Sequence, residues 1–543
     1  MSDCNKPIEF NLLDEGWIRV LLPDCTVREV SLPDALIHAH EYVDLAGEMP
    51  TQDVAVLRLL LAVLHTVFSC VDPEGESDPL ESTGEALRRW KVLWEAGQFP
   101  EKPIREYLNE WRDRFWLFHP ERPFWQVPEA IIGTEGTAAK LNGEMMESNN
   151  KLRLFPSRSG HEKSCVSYPE AARWLLHLNG FDDTAAKPKG KDLPSPGAGW
   201  LGKLGLIICA GETLFETLML NLVLFKSREN EIYPAVPCWE SEEIRKSERT
   251  EIAIPDNQAA LFTLQSRRLL LKRNNDTVTG YCLLGGDFFA PDNMFEEPMT
   301  VWRAVKEKGE PTGNHRPARH DPSIQMWREF PTLFVQQEGQ NRPGVVEWIE
   351  LLRKRRCIDR TKMIRFRAIG TQYGDKDFFM ADIFSDDLSF SADLLSEKGM
   401  IWQRRITAEL ALCEKAAFEI KRLAKCINQA AGNDKGGSPE RAEEQFYDRL
   451  NLPFRLWLEQ IDLDEQSDMD PICAQWRDTA FRIASELGRE LISQAGPAAV
   501  IGRSVKEGKK GKEESVYRSA PDAYNYFRYK IAKTFKIQKE ENR

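Results

Sequence analysis

The chain has 543 residues, of which 42% are hydrophobic and 29% are charged, and it carries a formal net charge of −12. A single hydrophobic core stops growing at about 250–300 residues, so this length predicts two or more packed units. The composition excludes an intrinsically disordered chain. It also argues against a membrane protein, because the longest apolar stretch, near residues 54–70, is interrupted by Arg58 and His65.

Neither the cysteines nor the N-terminus indicates secretion. The eleven cysteines are scattered and none stands in a C-x-x-C pair, so we expect reduced, mostly buried thiols and no metal site. The first residues lack the basic and apolar regions of a secretory signal. Together these features predict a cytoplasmic protein.

Strand and helix patterns alternate over residues 1–390, which predicts a large mixed α/β N-terminal domain. Strands are expected where β-branched and aromatic runs lie between turn residues, and helices where apolar residues recur at spacings of three and four. The predicted elements are a β-hairpin in residues 10–30, a helix capped near Ser31, a buried helix in 51–70, helices starting near 101, 168 and 212, and hairpins in 268–284 and 364–386.

Two segments of this domain are predicted to be loops. Residues 133–150 are rich in Gly, Ser and Asn and are expected to be mobile. Residues 184–199 contain three prolines, three glycines and three lysines, which excludes a helix or a central strand. The glycines of Gly197-Ala-Gly-Trp-Leu-Gly-Lys203 partly match nucleotide-binding patterns, but no strand precedes them and Leu204 replaces the required Ser or Thr, so we expect no nucleotide site.

The pattern changes near residue 391. Apolar residues from Ile406 to Ile427 recur at spacings of four and three, which predicts a long amphipathic helix. Further helices are predicted near 440–462, 472–494 and 515–537. Four helices with short polar links favour a four-helix bundle in residues 391–543, so the predicted fold class is α+β.

The basic residues are concentrated at the C-terminal end. Residues 503–543 hold twelve Lys and Arg against six Asp and Glu, a net +6, which leaves −18 on the preceding 502 residues. Affinity for nucleic acid comes chiefly from cations that meet phosphates, so a basic surface is expected to be local here.

Catalytic motifs are scarce. His320-Asp321 suggests a metal-dependent hydrolase, but such a site needs further His and Asp ligands, and the eight histidines are scattered. Neither H-E-x-x-H nor G-x-S-x-G occurs. Catalysis is therefore unsupported by the sequence.

Seven strings, in their order and spacing, resemble the large subunit (CasA) family of the type I-E Cascade complex, the RNA-guided DNA surveillance complex of CRISPR immunity. The resemblance spans essentially the whole chain. The strings are Phe10-Asn-Leu-Leu-Asp-Glu-Gly-Trp-Ile, Phe118-His-Pro-Glu-Arg-Pro-Phe-Trp-Gln, Tyr168-Pro-Glu-Ala-Ala-Arg-Trp-Leu-Leu-His, Gly199-Trp-Leu-Gly-Lys-Leu-Gly, Glu297-Pro-Met-Thr-Val-Trp-Arg, His320-Asp-Pro and Gly370-Thr-Gln-Tyr-Gly.

This resemblance implies a non-catalytic, cofactor-free subunit that recognises the protospacer-adjacent motif in double-stranded DNA, largely from the minor groove. It would wedge the duplex open to start R-loop formation and help to recruit a helicase-nuclease. The implied partners are target DNA, the 5′ end of the guide RNA, the helicase-nuclease, and the backbone, small and guide-capping subunits of Cascade. A metal-dependent nucleic-acid hydrolase that uses His320 and Asp321, and a purely structural scaffold subunit, stay as alternatives.

Several site residues follow from the resemblance, and we add a basic face on the last helix as a hypothesis. That face would guide displaced single-stranded DNA or pack on small subunits. Tyr524, Tyr526 and Tyr529 would either stack on bases or pack in the core of the bundle, and core packing is the favoured prediction. The site residues are Phe155, Pro156, Ser157 and Arg158 for the first loop, which contacts guide RNA and backbone subunits; Gly197 and Gly199 for a glycine loop against the minor groove; Gly374, Asp375 and Lys376 for the wedge; and Lys530, Lys533 and Lys536 for the basic face.

The sequence departs from the family at three points. The wedge has Lys376 where many relatives have glutamine. No lysine stands near residues 285–289, where relatives carry a lysine finger, so either Lys272 or Arg273 substitutes or the motif preference differs. The four-cysteine zinc site that some relatives have in the first loop is also absent.

Overall fold

The structure is a computed structural model that describes residues 8–143, 158–185, 197–224, 236–241, 257–287, 297–335, 340–433, 439–461, 463, 469–507 and 514–536. The chain divides into two compact units. The first comprises Met1–Met326, Thr332–Asp359 and Ile364–Asp387, and the second comprises Trp327–Pro331, Arg360–Met363 and Leu388–Arg543.

Helices and strands both contribute extensively, and the predicted α+β class is confirmed. The helices are α1 (Leu32–Ile37), α2 (Pro50–Cys70), α3 (Thr83–Ala96), α4 (Glu101–Glu110), α5 (Ala138–Leu141), α6 (Tyr168–Phe181), α7 (Leu214–Asn221), α8 (Gln258–Phe262), α9 (Phe330–Phe334), α10 (Gly344–Lys354), α11 (Gly399–Ala431), α12 (Pro439–Glu459), α13 (Met469–Ser493), α14 (Pro497–Ile501) and α15 (Ala520–Lys536).

The strands form small separate sheets rather than one large sheet. Their orders are β1-β5, β3-β2-β4, β6-β9-β8, β11-β10-β12, β14-β13-β7 and β15-β16. The strands are β1 (Glu9–Asn11), β2 (Ile18–Leu21), β3 (Val27–Val30), β4 (Asp44–Leu45), β5 (Trp116–Phe118), β6 (Thr134–Thr137), β7 (Leu206–Ala210), β8 (Arg267–Asn274), β9 (Thr277–Gly285), β10 (Trp302–Glu307), β11 (Glu310–Pro317), β12 (Gln340–Asn341), β13 (Met363–Tyr373), β14 (Met380–Ser391), β15 (Arg503–Glu507) and β16 (Glu514–Arg518).

Helix α2 forms the centre of the first unit. It is long and apolar enough to cross a membrane, but 89% of its most apolar 18-residue window is buried inside the protein. Arg58, in the middle of the helix, is buried because both of its terminal nitrogens donate to the Glu297 carboxylate at 2.8 Å. The predicted buried helix is therefore confirmed, and it serves as a core helix.

Two predictions about local structure are wrong. Within the predicted loop 133–150, residues 134–137 form strand β6, which pairs with β9, and residues 144–150 lie outside the described residues. Gly136 allows this pairing because an added Cβ would lie 2.2 Å from the Tyr281 ring, so the glycine serves close packing. The predicted helix 515–537 begins only at Ala520, because Glu514–Arg518 pairs with Arg503–Glu507 in a hairpin.

The second unit contains the predicted four-helix bundle. Helices α11, α12, α13 and α15 pack together, and the apolar stripe of α11 from Ile406 to Ala424 is buried. Inside this bundle the carboxylate of Glu409, which is fully buried, accepts hydrogen bonds from the Arg477 guanidinium at 2.5–3.1 Å.

We expect Glu409→Ala to destabilise the bundle strongly. Removal of one partner leaves the Arg477 charge buried and uncompensated, which costs about 3–5 kcal/mol. Thermal and urea unfolding followed by tryptophan fluorescence measures this loss. The control is Glu486→Ala, which breaks an exposed pair with Arg482 and should cost under about 1 kcal/mol. Equal losses in the two variants would contradict a structural role for the buried pair.

Candidate nucleic-acid interface

The glycine loop, residues 197–203, leads directly into strand β7. Gly197 has a φ of +68°, in the left-handed region that favours glycine. Gly199 is buried, and its N–H donates to the Asp182 carbonyl at 2.8 Å. A Cβ at Gly199 would lie 2.3 Å from the carbonyl oxygen of Gly180, so only glycine fits. Of the two predicted groove-facing glycines, Gly197 is thus the one that keeps partial exposure.

A buried arginine holds the start of this loop. The Arg267 side chain is 1% exposed, and its Nη2 donates to the Gly197 carbonyl at 2.6 Å. Its Nε donates to the Asp182 carboxylate at 2.5 Å, which balances the buried charge. The position of Gly197 is therefore set by an ion pair with well-defined geometry.

The middle of the loop is held by a second buried ion pair. The Trp200 backbone N–H donates to Ser266 Oγ at 3.0 Å, and its indole Nε1 donates to Glu297 at 3.2 Å. Glu297 is the carboxylate that also pairs with Arg58. The loop is thereby attached to the core helix α2.

The predicted hairpin at 364–386 is confirmed as β13–β14, and its tip has an unusual backbone. Lys376 and Asp377 have φ values of 51° and 60°, and Gly374 packs so closely on Phe379 that a Cβ would lie 2.2 Å from the ring. Lys376 is exposed, and no hydrogen bond or ion pair of its ammonium group lies among the described residues. The Phe378 ring is 50% exposed beside it. The tip therefore presents one cation and one aromatic ring.

The structure brings this tip and the segment before the glycine loop together. Thr184 donates its hydroxyl to the Lys376 carbonyl at 2.7 Å and its N–H to the Asp377 carbonyl at 2.9 Å. Tyr373 donates its hydroxyl to the Phe181 carbonyl at 2.6 Å, and burial raises the pKa of this phenol. The two predicted site elements therefore form one local assembly.

Two further cations belong to this assembly and were not predicted from the sequence. Arg319 pairs with Asp377 at 2.9 Å and lies 5.0 Å from the Tyr373 ring centre. Lys203 Nζ would lie 3.8 Å from a Cβ at Gly197, so its side chain runs beside the loop. Lys203 lies in one of the sequence strings that resemble the CasA family. Its proximity to Gly197 and the pairing of Arg319 with Asp377 could not be predicted from the sequence, because no local pattern marks either contact.

Neither proposed substitute for the lysine finger lies at the expected end of its hairpin. Gly285 pairs with Arg267, and Lys272 is five residues further along β8, about 16 Å away at the rise of a strand. Lys272 pairs with Glu135 at 2.6 Å, which raises its pKa, and Arg273 pairs with Glu9 and covers the Phe118 ring. Both cations are thus engaged elsewhere.

The first loop is only partly described. Phe155, Pro156 and Ser157 lie outside the described residues, whereas Arg158 pairs through both terminal nitrogens with Glu170, in the first turn of α6. Arg158 thus attaches the end of this loop to a helix.

The predicted basic face lies on α15 in the second unit. Lys530 contacts the Tyr526 ring at 5.3 Å, and Arg422 donates to the Tyr526 hydroxyl at 3.0 Å. The hydrogen bond from Lys530, with that from Arg422, lowers the pKa of Tyr526. Lys533 is exposed, and the side chain of Lys536 lies outside the described residues.

The tyrosines of α15 do not form the buried face of the helix, although the sequence analysis favoured core packing for them. Tyr526 and Tyr529 are exposed, and the buried positions are Phe527, Ile531 and Phe535. The three buried residues recur at a spacing of four, so they occupy one side of the helix.

His320 and Asp321 make structural hydrogen bonds. His320 Nε2 lies 3.1 Å from the Leu206 carbonyl, and Asp321 accepts from the N–H and hydroxyl of Ser323 at 2.9 and 2.7 Å. Within the described ranges, no group of three or more His, Cys, Asp or Glu residues could hold a metal ion. The contacts of His320 and Asp321 in the described part of the chain thus give the hydrolase alternative no support.

Comparison with known proteins identifies the family. A sequence model of the CRISPR-associated protein Cse1 family matches residues 11–487. CasA/Cse1 of Thermus thermophilus is 31% identical over 343 residues, which are 61% of this chain and 61% of that protein's length. The chain therefore belongs to the Cse1 (CasA) family.

Solved structures share the fold over nearly the full length. Thermobifida fusca Cse1 has a TM-score of 0.79 and 28% identity, with 97% of this chain and 98% of that chain covered. A chain of a structure described as a CRISPR RNA-guided surveillance complex has a TM-score of 0.69 at 15% identity, over 97% of this chain and 100% of that one. The second likeness concerns the fold alone.

We expect Gly199→Ala to displace the glycine loop and to lower stability by about 1–3 kcal/mol, because the added methyl group meets a backbone carbonyl that cannot move aside. Thermal unfolding measures the loss. The control is Gly84→Ala in the first turn of α3, where the nearest atom lies 3.9 Å from the new Cβ and alanine favours the helix. A Gly199→Ala protein as stable as the control would contradict this packing role.

Proposed function

We propose that this chain is a non-catalytic, cytoplasmic subunit of an RNA-guided DNA surveillance complex. It recognises a short motif in duplex DNA, separates the adjacent base pairs so that the guide RNA can pair, and helps to recruit a helicase-nuclease. Membership of the Cse1 family and a fold shared with a chain of a surveillance complex support this proposal. In such systems the protein reads the motif and base pairing reads the remaining sequence.

One observation carries the proposal: the tip of β13–β14 is hydrogen-bonded to Thr184, close to the glycine loop. Unstacking of a base step costs on the order of a few kcal/mol, so a protein wedge must be held rigidly. Thr184 holds this tip through the carbonyls of Lys376 and Asp377, and the Tyr373 hydroxyl attaches the end of β13 to the Phe181 carbonyl, so substitution of the Lys376 or Phe378 side chain leaves these contacts in place.

The exposed groups at the tip match this task. Lys376 supplies a positive charge for a phosphate or a base edge, and Phe378 supplies an aromatic face that can stack where base pairs part. Gly197 allows a close approach of backbone to the minor groove. Gly374 and Asp375 form the turn that carries both side chains.

Roles for the remaining predicted residues follow. The first loop, whose end Arg158 attaches to α6, contacts the guide RNA 5′ end and backbone subunits. The basic face of Lys530, Lys533 and Lys536 contacts displaced DNA or the small subunits. The cluster of Arg422, Tyr526 and Lys530 combines cations with an exposed ring, which suits single-stranded nucleic acid.

We expect Lys376→Gln to weaken binding of the assembled complex to motif-containing duplex and to reduce the slope of log affinity against log salt by about one. Phe378→Ala should slow opening of paired target by about tenfold, equivalent to about 1.4 kcal/mol. Gel-shift titrations and stopped-flow base-unstacking signals measure these effects.

Phe378→Ala should bind a target with a pre-opened bubble beside the motif almost as well as the unmodified protein, because the wedging step is bypassed, whereas Lys376→Gln should keep its lower salt slope on both targets. Lys91→Gln, an exposed lysine on α3, is the matched control and should behave as the unmodified protein. For Phe378→Ala, equal loss on paired and pre-opened targets, or no loss on either, would refute the wedge.

A further inference from the structure

Strands β10 and β11 form a protruding hairpin that no predicted site includes. We call it the basic hairpin, residues 302–317. Its turn residues, Lys308 and Gly309, have φ values of 52° and 94°, the pattern of a tight two-residue turn that matches the twist of the strands. Its base is fixed by Trp302, which is buried and donates its indole N–H to the Glu297 carbonyl at 3.3 Å.

The charge of this region is opposite to that of the chain. Residues 301–320 contain five Lys and Arg and two Glu, a net +3 in a chain of net −12. The two acids, Glu307 and Glu310, face each other at the turn end of the hairpin. Lys306 and Lys308 offset these two acids at the turn end, so the net +3 comes from Arg303, Arg316 and Arg319 at the base.

Two arginines stand directly opposite each other at that base. Arg303 on β10 pairs in register with Arg316 on β11, which brings their Cβ atoms to about 4.5–5.5 Å and their side chains to one face. Both side chains are exposed, and no hydrogen bond or ion pair of either guanidinium lies among the described residues. Like charges directly opposite each other destabilise a strand pair. An anion bound between the two guanidinium groups would remove this repulsion.

The arginine pair is attached to the candidate interface. The Ala318 N–H donates to the Val301 carbonyl at 3.0 Å, and the Gly205 N–H donates to the Ala318 carbonyl at 3.0 Å, so the base of the hairpin joins the residues between the glycine loop and β7. Arg319, three residues after Arg316, pairs with Asp377 of the β13–β14 tip. Three residues span at most about 11 Å, so the Cα of Arg316 lies within about 11 Å of the Cα of Arg319, the residue that contacts the tip.

We propose that Arg303 and Arg316 clamp one backbone phosphate of the DNA duplex that the glycine loop and the β13–β14 tip engage; this inference rests on the proposed function. Guanidinium groups present paired N–H donors that match phosphate oxygens, and a phosphate between them neutralises their repulsion. A backbone contact fixes the register of the duplex without reading its sequence. The position beside the tip favours duplex DNA over guide RNA as the source of the phosphate.

The test uses Arg303→Gln, Arg316→Gln and the double variant in the complex assembled with guide RNA. Affinity for duplex targets is measured across a series of KCl concentrations. The double variant should reduce the slope of log affinity against log salt by about one, the value for one phosphate, and each single variant should reduce it by less, equally for targets with and without the motif. The control, Arg88→Gln on α3, removes an arginine whose side chain is 77% exposed and should leave the slope unchanged.

Stability separates the clamp from a folding defect. Each single variant removes the like-charge contact, so its melting temperature should stay the same or rise.

Unchanged slopes in both arginine variants, with a reduced slope in Lys376→Gln, would overturn the clamp and leave the proposed function intact. Unchanged duplex binding in all of these variants would overturn both. Loss of guide RNA from the complex, with duplex binding preserved, would assign the phosphate to RNA and overturn the proposal.

Discussion

The candidate interface depends on one short buried strand, β7. All five of its residues are buried, and it pairs with β13, the stem of the wedge hairpin. The glycine loop enters β7 directly, and Gly205 joins the base of the basic hairpin; a Cβ at Gly205 would lie 2.5 Å from the Ala318 carbonyl. Three surface elements distant in sequence therefore share one rigid attachment, as the proposed separation of a DNA duplex requires.

Buried ion pairs, rather than apolar packing alone, fix the glycine loop. Arg267 with Asp182 holds Gly197, and Glu297 connects Trp200 to Arg58. A buried ion pair adds little net stability over apolar residues of the same shape, but its hydrogen bonds have a defined geometry, and loss of one partner is costly. Position, more than stability, is what these pairs supply.

The acidic chain carries a local group of cations at the proposed DNA interface. Lys203, Arg319 and Lys376 lie at the glycine loop and the β13–β14 tip, and Arg303 and Arg316 lie on the basic hairpin whose base is joined to Gly205. An acidic remainder disfavours unspecific adhesion to nucleic acid, whereas the local cluster retains contacts with the backbone. Net charge alone would have excluded a DNA partner that the distribution of charge supports.

The sequence by itself determined the buried helix α2, the starts of α4, α6 and α7, the hairpins at β8–β9 and β13–β14, the buried stripe of α11 and the family, because each leaves a local period or string. It did not reveal α3, α10 or the β10–β11 hairpin. Only the tertiary structure decided the rest. Thr184 and Lys376 are 192 positions apart, the Arg303–Arg316 pair requires a strand register, and the need for glycine at residue 136 comes from the Tyr281 ring, which is distant in sequence. Such contacts depend on which elements meet in space, and local sequence patterns carry no record of that.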